Sequence, residues 1–199
     1  MPAFPFAAIV SFSQWKDHDG RMQADQDRPL ASIRLAHAED AAGIARVHVE
    51  SWRDAYAGVL PDQHLLQLDP QRHSVGWTRS LARADDRRHT LVAIADDEIV
   101  GFATFGPARE GRPPAEGEIY MLYVTTDWRE QGIGRQLVQA AFVALWEMGS
   151  KAASIWCLED NHAAVGFYKR IGGQRISAPR MERVGGQDYP VVGFNWTIG

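Results

Sequence analysis

The spacing of apolar positions changes repeatedly along the chain, and each change marks an element. Ile33 and Leu35 alternate with polar neighbours, which predicts a short strand. Glu39-Asp40 then opens a helix carrying Ile44, Val47 and Val49. A second helical piece, Ser51 to Ala57, holds Trp52 and Tyr56; a third starts at Pro61-Asp62, carries Leu65 and Leu66, and is interrupted by Pro70. Residues 71–83 read as helix again, with Val75, Trp77 and Leu81 inward. Thr90 to Ala95 and Glu98 to Phe105 are apolar runs joined by Asp96-Asp97, the pattern of a β-hairpin. Residues 106–117, rich in Gly, Pro and charge, read as a loop.

From Glu118 to Val124 both alternating sets are apolar, Ile119, Met121 and Tyr123 on one side and Tyr120, Leu122 and Val124 on the other. A strand covered on both faces has that pattern. Helical spacing resumes from Gly134 to Met148 in Leu137, Val138, Ala141, Phe142, Leu145 and Met148. Ala152 to Leu158 is a strand, Asn161 is placed to cap a helix over 162–171, and Gly172-Gly173 ends it. Residues 174–198 supply two strands around Gly185-Gly186. The order βααα-ββ-βα-βα-ββ predicts one α/β domain over residues 32–199, with no internal repeat. Residues 1–31 read as an N-terminal extension, apolar at Phe4, Phe6 and Trp15 and then a polar, flexible connector.

The turn between the central strand and the following helix carries the candidate chemistry. A helix start directs backbone N–H groups at one spot and its dipole favours negative charge there, so a phosphate is the natural guest. Gly132 and Gly134 permit close backbone approach. Two phosphate-binding patterns fail here. The dinucleotide fingerprint needs a third glycine where Leu137 stands, and the triphosphate loop needs Lys-Ser/Thr where Arg135 and Gln136 follow Gly134.

What fits is Arg-x-x-Gly-x-Gly, formed by Arg129, Gly132 and Gly134 after Leu-Tyr-Val, and in this the chain resembles the GNAT acetyltransferase superfamily. Glu130 stands where many members have a further glycine. About thirty residues on, Asn161, Ala164, Phe167 and Tyr168 match the family's Asn-x-x-Ala-x-x-Phe-Tyr. Asn161 and Tyr168 are seven apart, two helical turns, and share a face. The resemblance covers about residues 32–198. It implies a mixed central sheet splayed between two parallel strands and flanked by helices. It also implies that the turn binds the pyrophosphate of acetyl-coenzyme A. The implied donor contacts are Leu122 and Val124 on the strand, Arg129, Gln131, Gly132, Ile133, Gly134 and Arg135 at the turn, and Asn161 with Tyr168 downstream.

Composition narrows the partners. At 199 residues with net charge −4, the chain has no basic field to argue for nucleic acid. No apolar run approaches the ~20 residues of a membrane helix, and the apolar start lacks a basic leader region, so no signal peptide is expected and the cytoplasm is the default location. The single cysteine, Cys157, reads as a buried filler of a strand and excludes an internal disulfide. No metal-ligand cluster is apparent, and a homodimer is left open.

Acetyl transfer to an amine poses two charge problems. Freeing an alkylammonium of pKa about 10.4 at pH 7 costs roughly 4–5 kcal/mol, and the leaving thiolate gains from a proton donor. By resemblance, Tyr168 is the general acid and the backbone N–H near Val124 supports the developing oxyanion. For the base, Glu118 starts the central strand on the same side as Val124 by period-two counting. An extended strand sets it ~20 Å from Val124. Glu159 and Glu50 are the alternatives. Trp52 and Tyr56 fall where the family builds its acceptor wall. The expected function is transfer of acetyl from acetyl-coenzyme A to a small-molecule amine by direct attack. The alternatives are an acyl-coenzyme A-binding regulatory domain without turnover and a protein or peptide amine acetyltransferase.

Overall fold

A computed structural model of the chain describes residues 31–83, 87–110 and 115–199. The expected N-terminal extension, apart from Ala31, lies outside the described residues, as do residues 111–114 of the expected loop. Strand β1 (Ser32–Leu35) leads through a 3₁₀ turn (Ala38–Asp40) into helix α1 (Ala41–Ala55), followed by α2 (Asp62–Leu66) and α3 (Pro70–Ala82). Asp40 fixes the first start: its carboxylate accepts the His37 N–H at 2.7 Å and the Arg34 guanidinium at 2.6 and 2.8 Å. Asp69 caps α3 by accepting the Arg72 N–H at 2.8 Å, with Pro70 in the first turn.

Two expectations about these helices need correction. The separate piece over Ser51 to Ala57 is the continuation of α1, because no Gly or Pro intervenes to stop it. Val75 is 52% exposed rather than inward. The buried face of α3 is centred on Trp77 and Leu81, four residues apart, and a residue two before Trp77 lies about 200° around the helix from it.

The remaining elements are β2 (His89–Ala95), β3 (Glu98–Pro107), β4 (Gly117–Val124), α4 (Ile133–Glu147), β5 (Ala152–Leu158), α5 (His162–Arg170), β6 (Gln174–Val184) and β7 (Gln187–Thr197). The strands form one sheet in the order β1-β2-β3-β4-β5-β7-β6. β4 and β5 are parallel; the other neighbours are antiparallel. The hairpin between β2 and β3 turns on Asp96 and Asp97 at φ 50° and 61°, the double left-handed conformation of a two-residue turn that follows strand twist. Helix α4 packs Leu137, Val138, Ala141 and Leu145 against one face of the sheet. Helices α1 and α3 cover the other with Ile44, Val47 and Trp77 over Val92 and Phe102. A third cluster joins Tyr56, Leu60 and Leu65 to Trp156, Leu158 and Val191.

One irregularity in β4 matters for the site. Thr104 of β3 faces Met121, but Phe105 faces Ile119, so Tyr120 is an extra residue. Such a bulge reverses the alternation of faces across it. Ile119, Leu122 and Val124 therefore all pack on the α4 side, while Met121 and Tyr123 pack on the α1 and α3 side. Period-two counting put Glu118 with Val124; with the bulge, Glu118 falls on the opposite face.

Candidate active site

β4 and β5 pair only through Gly117–Ala153, Glu118–Ser154 and Ile119–Ile155. Beyond Ile119 they part, although β4 stays paired with β3 as far as Val124 and β5 with β7 as far as Leu158. The gap is a cleft of about 710 Å³. Its β4 wall carries main-chain groups that β3 does not pair. Thr125 donates its N–H to Val100 of β3 at 2.9 Å. By alternation the N–H and C=O of Leu122 and Val124 turn the other way, towards the cleft. The Val124 carbonyl accordingly accepts from Arg129 Nε at 3.1 Å.

At the outer end of β4 the chain makes a 3₁₀ turn (Thr126–Trp128) and passes Glu130 at φ 60° and Gly132 at φ 83° before α4 begins at Ile133. The first N–H groups of α4 lack intrahelical partners and point out of the helix start. A Cβ on Gly134 would stand 3.4 Å from Phe167 Cζ and 3.9 Å from Val124 Cγ2, so the glycine keeps the cleft open where α4, α5 and β4 converge. Arg129, Arg135 and Arg170 line this end, and Leu122, Val124 and Phe167 line the walls. A basic, backbone-rich end joined to an apolar channel suits an extended ligand with phosphates at one end.

At the inner end, Asn161 caps α5 through Oδ1, which accepts the Ala164 N–H at 3.0 Å. Tyr168 lines the cleft yet is only 5% exposed, packed on Phe194 with ring centroids 5.6 Å apart. Burial raises its hydroxyl pKa well above the ordinary value, and the neighbouring Cys157, Tyr123 and Tyr56 add to the rise. Tyr123 is held high in the same way, by burial first, and its hydroxyl accepts from Trp52 Nε1 at 2.8 Å. Burial also raises Tyr56, with a hydrogen bond to Asn161 acting against it. Three phenols, from β4, α5 and the end of α1, thus lie near enough to influence one another's ionisation. Cys157 is buried and free, as a strand filler should be, and burial pushes its thiol up to about 12.

Of the residues singled out in the sequence, Leu122, Val124, Arg129, Gly132, Gly134, Arg135, Asn161, Tyr168 and Tyr56 line the cleft. Three others do not. Gln131 donates its side-chain N–H to the Asp127 carbonyl at 2.8 Å. Ile133 is a core side chain, 3% exposed, and Trp52 stands behind Tyr56 and Tyr123.

The expected base is also outside. Glu118 is fully buried, its Oε1 accepting from Arg109 at 2.6 and 3.0 Å and its Oε2 from the Arg109 N–H at 3.0 Å. Of the alternatives, Glu159 is ion-paired with Arg175, and Glu50 is exposed and paired with Arg46 at 3.3 Å. The carboxylates that line the cleft, among the described residues, are Asp54, Glu130 and Asp160. Sequence reasoning passed over Asp54 and Tyr123. Asp54 carried no local signal, being one charged residue among several on its helix; Tyr123 was hidden because alternation turns it away from Leu122 and Val124.

Comparison with known proteins agrees with this architecture. Residues 44–173 match the model of the acetyltransferase (GNAT) family. An uncharacterised N-acetyltransferase of Bacillus subtilis strain 168, YuaI, is 31% identical over 171 residues, covering 84% of this chain and 93% of that protein. A mycothiol acetyltransferase of Paenarthrobacter aurescens is 34% identical over 89 residues, 44% of this chain and 28% of that protein. Among solved structures, the PaiA N-acetyltransferase of Thermoplasma acidophilum in complex with coenzyme A superimposes with a TM-score of 0.63 at 20% identity, covering 81% of this chain and 97% of that one. With its splayed parallel strands, its glycine turn and this set of relatives, the chain belongs to the GNAT family of acetyltransferases.

Proposed function

We propose that this acetyltransferase moves acetyl from acetyl-coenzyme A to a small-molecule amine by direct attack. The turn from Arg129 to Arg135 would hold the pyrophosphate, and the cleft-facing main chain of Leu122 and Val124 would bind the donor arm and support the oxyanion. The neutral amine attacks the thioester carbonyl, the C–S bond breaks, Tyr168 gives its proton to the departing sulfur, and the proton released by the attacking nitrogen restores the phenol, directly or through water. The observation that carries this reading is Tyr168 itself, a phenol that lines the cleft on the helix Asn161 caps and that holds its proton at physiological pH. A general acid must hold its proton until the leaving group needs it.

The acceptor side supports a small substrate. Tyr56, Leu60 and Leu65 close against Trp156, Leu158 and Val191, with Val184 and Tyr189 of the β6–β7 hairpin packed on them. A wall of that kind favours a compact acceptor over a polypeptide segment. Tyr168→Phe is expected to lower kcat roughly ten-fold or more while leaving coenzyme A affinity nearly unchanged. The check is thiol release from acetyl-coenzyme A over a panel of amines, with coenzyme A binding measured separately. An unaltered kcat would remove the acid role, and turnover of peptides with none of small amines would overturn the acceptor class.

A further inference from the structure

Two polar groups of α1, Ser51 and Asp54, line the cleft one helical turn apart. Ser51 is 2% exposed and its hydroxyl has no hydrogen-bond partner. Burying an unsatisfied hydroxyl is costly, so its position on a cleft wall marks a place where a ligand's polar group would be accepted. Asp54 is ion-paired with Arg129, whose Nε also holds the Val124 carbonyl at 3.1 Å. A single guanidinium thus ties the α1 wall to the anion-binding turn across the mouth of the cleft.

Arg129 therefore has two claimants, the Asp54 carboxylate and the phosphates expected at the turn. We propose that Asp54 is the acceptor-binding carboxylate, masked by Arg129 until the donor's pyrophosphate draws the guanidinium away. A pyrophosphate, with more charge and more acceptor oxygens than one carboxylate, is the stronger partner for an arginine fork. Once released, Asp54 presents a negative charge beside the Ser51 hydroxyl, which suits the cationic group of an amine acceptor. Donor binding then raises acceptor affinity, and linkage requires the converse. The acceptor class follows: a molecule that is cationic as it binds. This rests on reading the cleft as the donor and amine site.

Titration of coenzyme A into four proteins tests the mask: wild type, Asp54→Asn, Arg129→Gln and the double variant. The pair is partly exposed, 46% and 37%, so neither change should disturb folding, which melting curves check. Asp54→Asn is expected to tighten coenzyme A by about two- to five-fold, the value of an exposed ion pair that no longer has to be broken. Arg129→Gln should weaken it, and adding Asp54→Asn to Arg129→Gln should have no further effect. Unchanged or weaker binding in Asp54→Asn overturns the proposal. So does an equal gain in the Arg129→Gln background, since that would be a general charge effect. With saturating donor, Asp54→Asn should raise the KM of a cationic acceptor by roughly ten-fold or more with a smaller change in kcat; an unmoved KM overturns the acceptor role. If no amine is turned over, the proposed function fails, and the coenzyme A titrations still decide the mask.

Discussion

His48 links the stability of the packing between α1 and β4 to pH. It sits on α1 among aromatic rings, edge-on to Trp52, His73, Trp77 and Phe102 at centroid distances of 5.5 to 6.1 Å and stacked on Tyr123 at 5.3 Å. Its Nδ1 is buried without a hydrogen-bond partner. Burial, reinforced by the nearby His73, lowers its pKa from 6.5 to about 4. The folded protein therefore resists a proton that the unfolded chain accepts. Stability is complete above the unfolded pKa and is lost as pH falls from about 6.5 towards 4. The displacement corresponds to about 3 kcal/mol in the limit, of which about 2 kcal/mol is lost by pH 5. Denaturant unfolding at pH 7.5, 6 and 5 measures the loss. His48→Phe keeps an aromatic ring in place and removes the titration, so its stability should fall less between pH 7.5 and 5 by about 2 kcal/mol. Comparing slopes cancels the other titrating groups and any constant effect of repacking. Parallel pH profiles for the two proteins would refute the reasoning. The same protonation would push His48 out from beneath Tyr123, so the cleft wall should loosen in acid before the far edge of the sheet does.

Two further substitutions probe the turn. Gly134→Val should fold normally, because a Cβ there meets Phe167 only at 3.4 Å. Its branches would crowd the opening, and coenzyme A affinity should fall roughly ten-fold or more, which calorimetry would show; normal affinity would count against the turn as the phosphate site. Glu130 holds a left-handed backbone at φ 60° where a side chain is disfavoured. Glu130→Gly should therefore stabilise the protein by about 0.5–1 kcal/mol after the extra freedom of glycine in the unfolded chain is deducted. Thermal unfolding should show a gain of a few degrees, and a lowered Tm would refute the strain.

What the sequence made legible follows from the range of the interactions involved. The α4 face, the Asn161 cap, the two-residue Asp96-Asp97 turn and the glycine turn are decided within a few residues, so periodicity and residue type sufficed for them. The order of elements and the resemblance then placed nine of the expected residues on one cleft. Glu118 shows where local reading ends. Its chemistry and strand position suited a base, and alternation put it beside Val124; the extra residue Tyr120 reversed the faces and delivered it to Arg109. No local pattern announces that bulge, because it exists only as a register between β3 and β4. Asp54 is the complementary case, an unremarkable carboxylate near the end of a helix until β4 and the turn after it come to rest opposite. Both errors have one cause, a relation between segments distant in sequence. That relation also sets the proposed chemistry: the strand pairing that buries Glu118 against Arg109 removes it from the cleft, and of the carboxylates that line the cleft Asp54 is the one Arg129 holds.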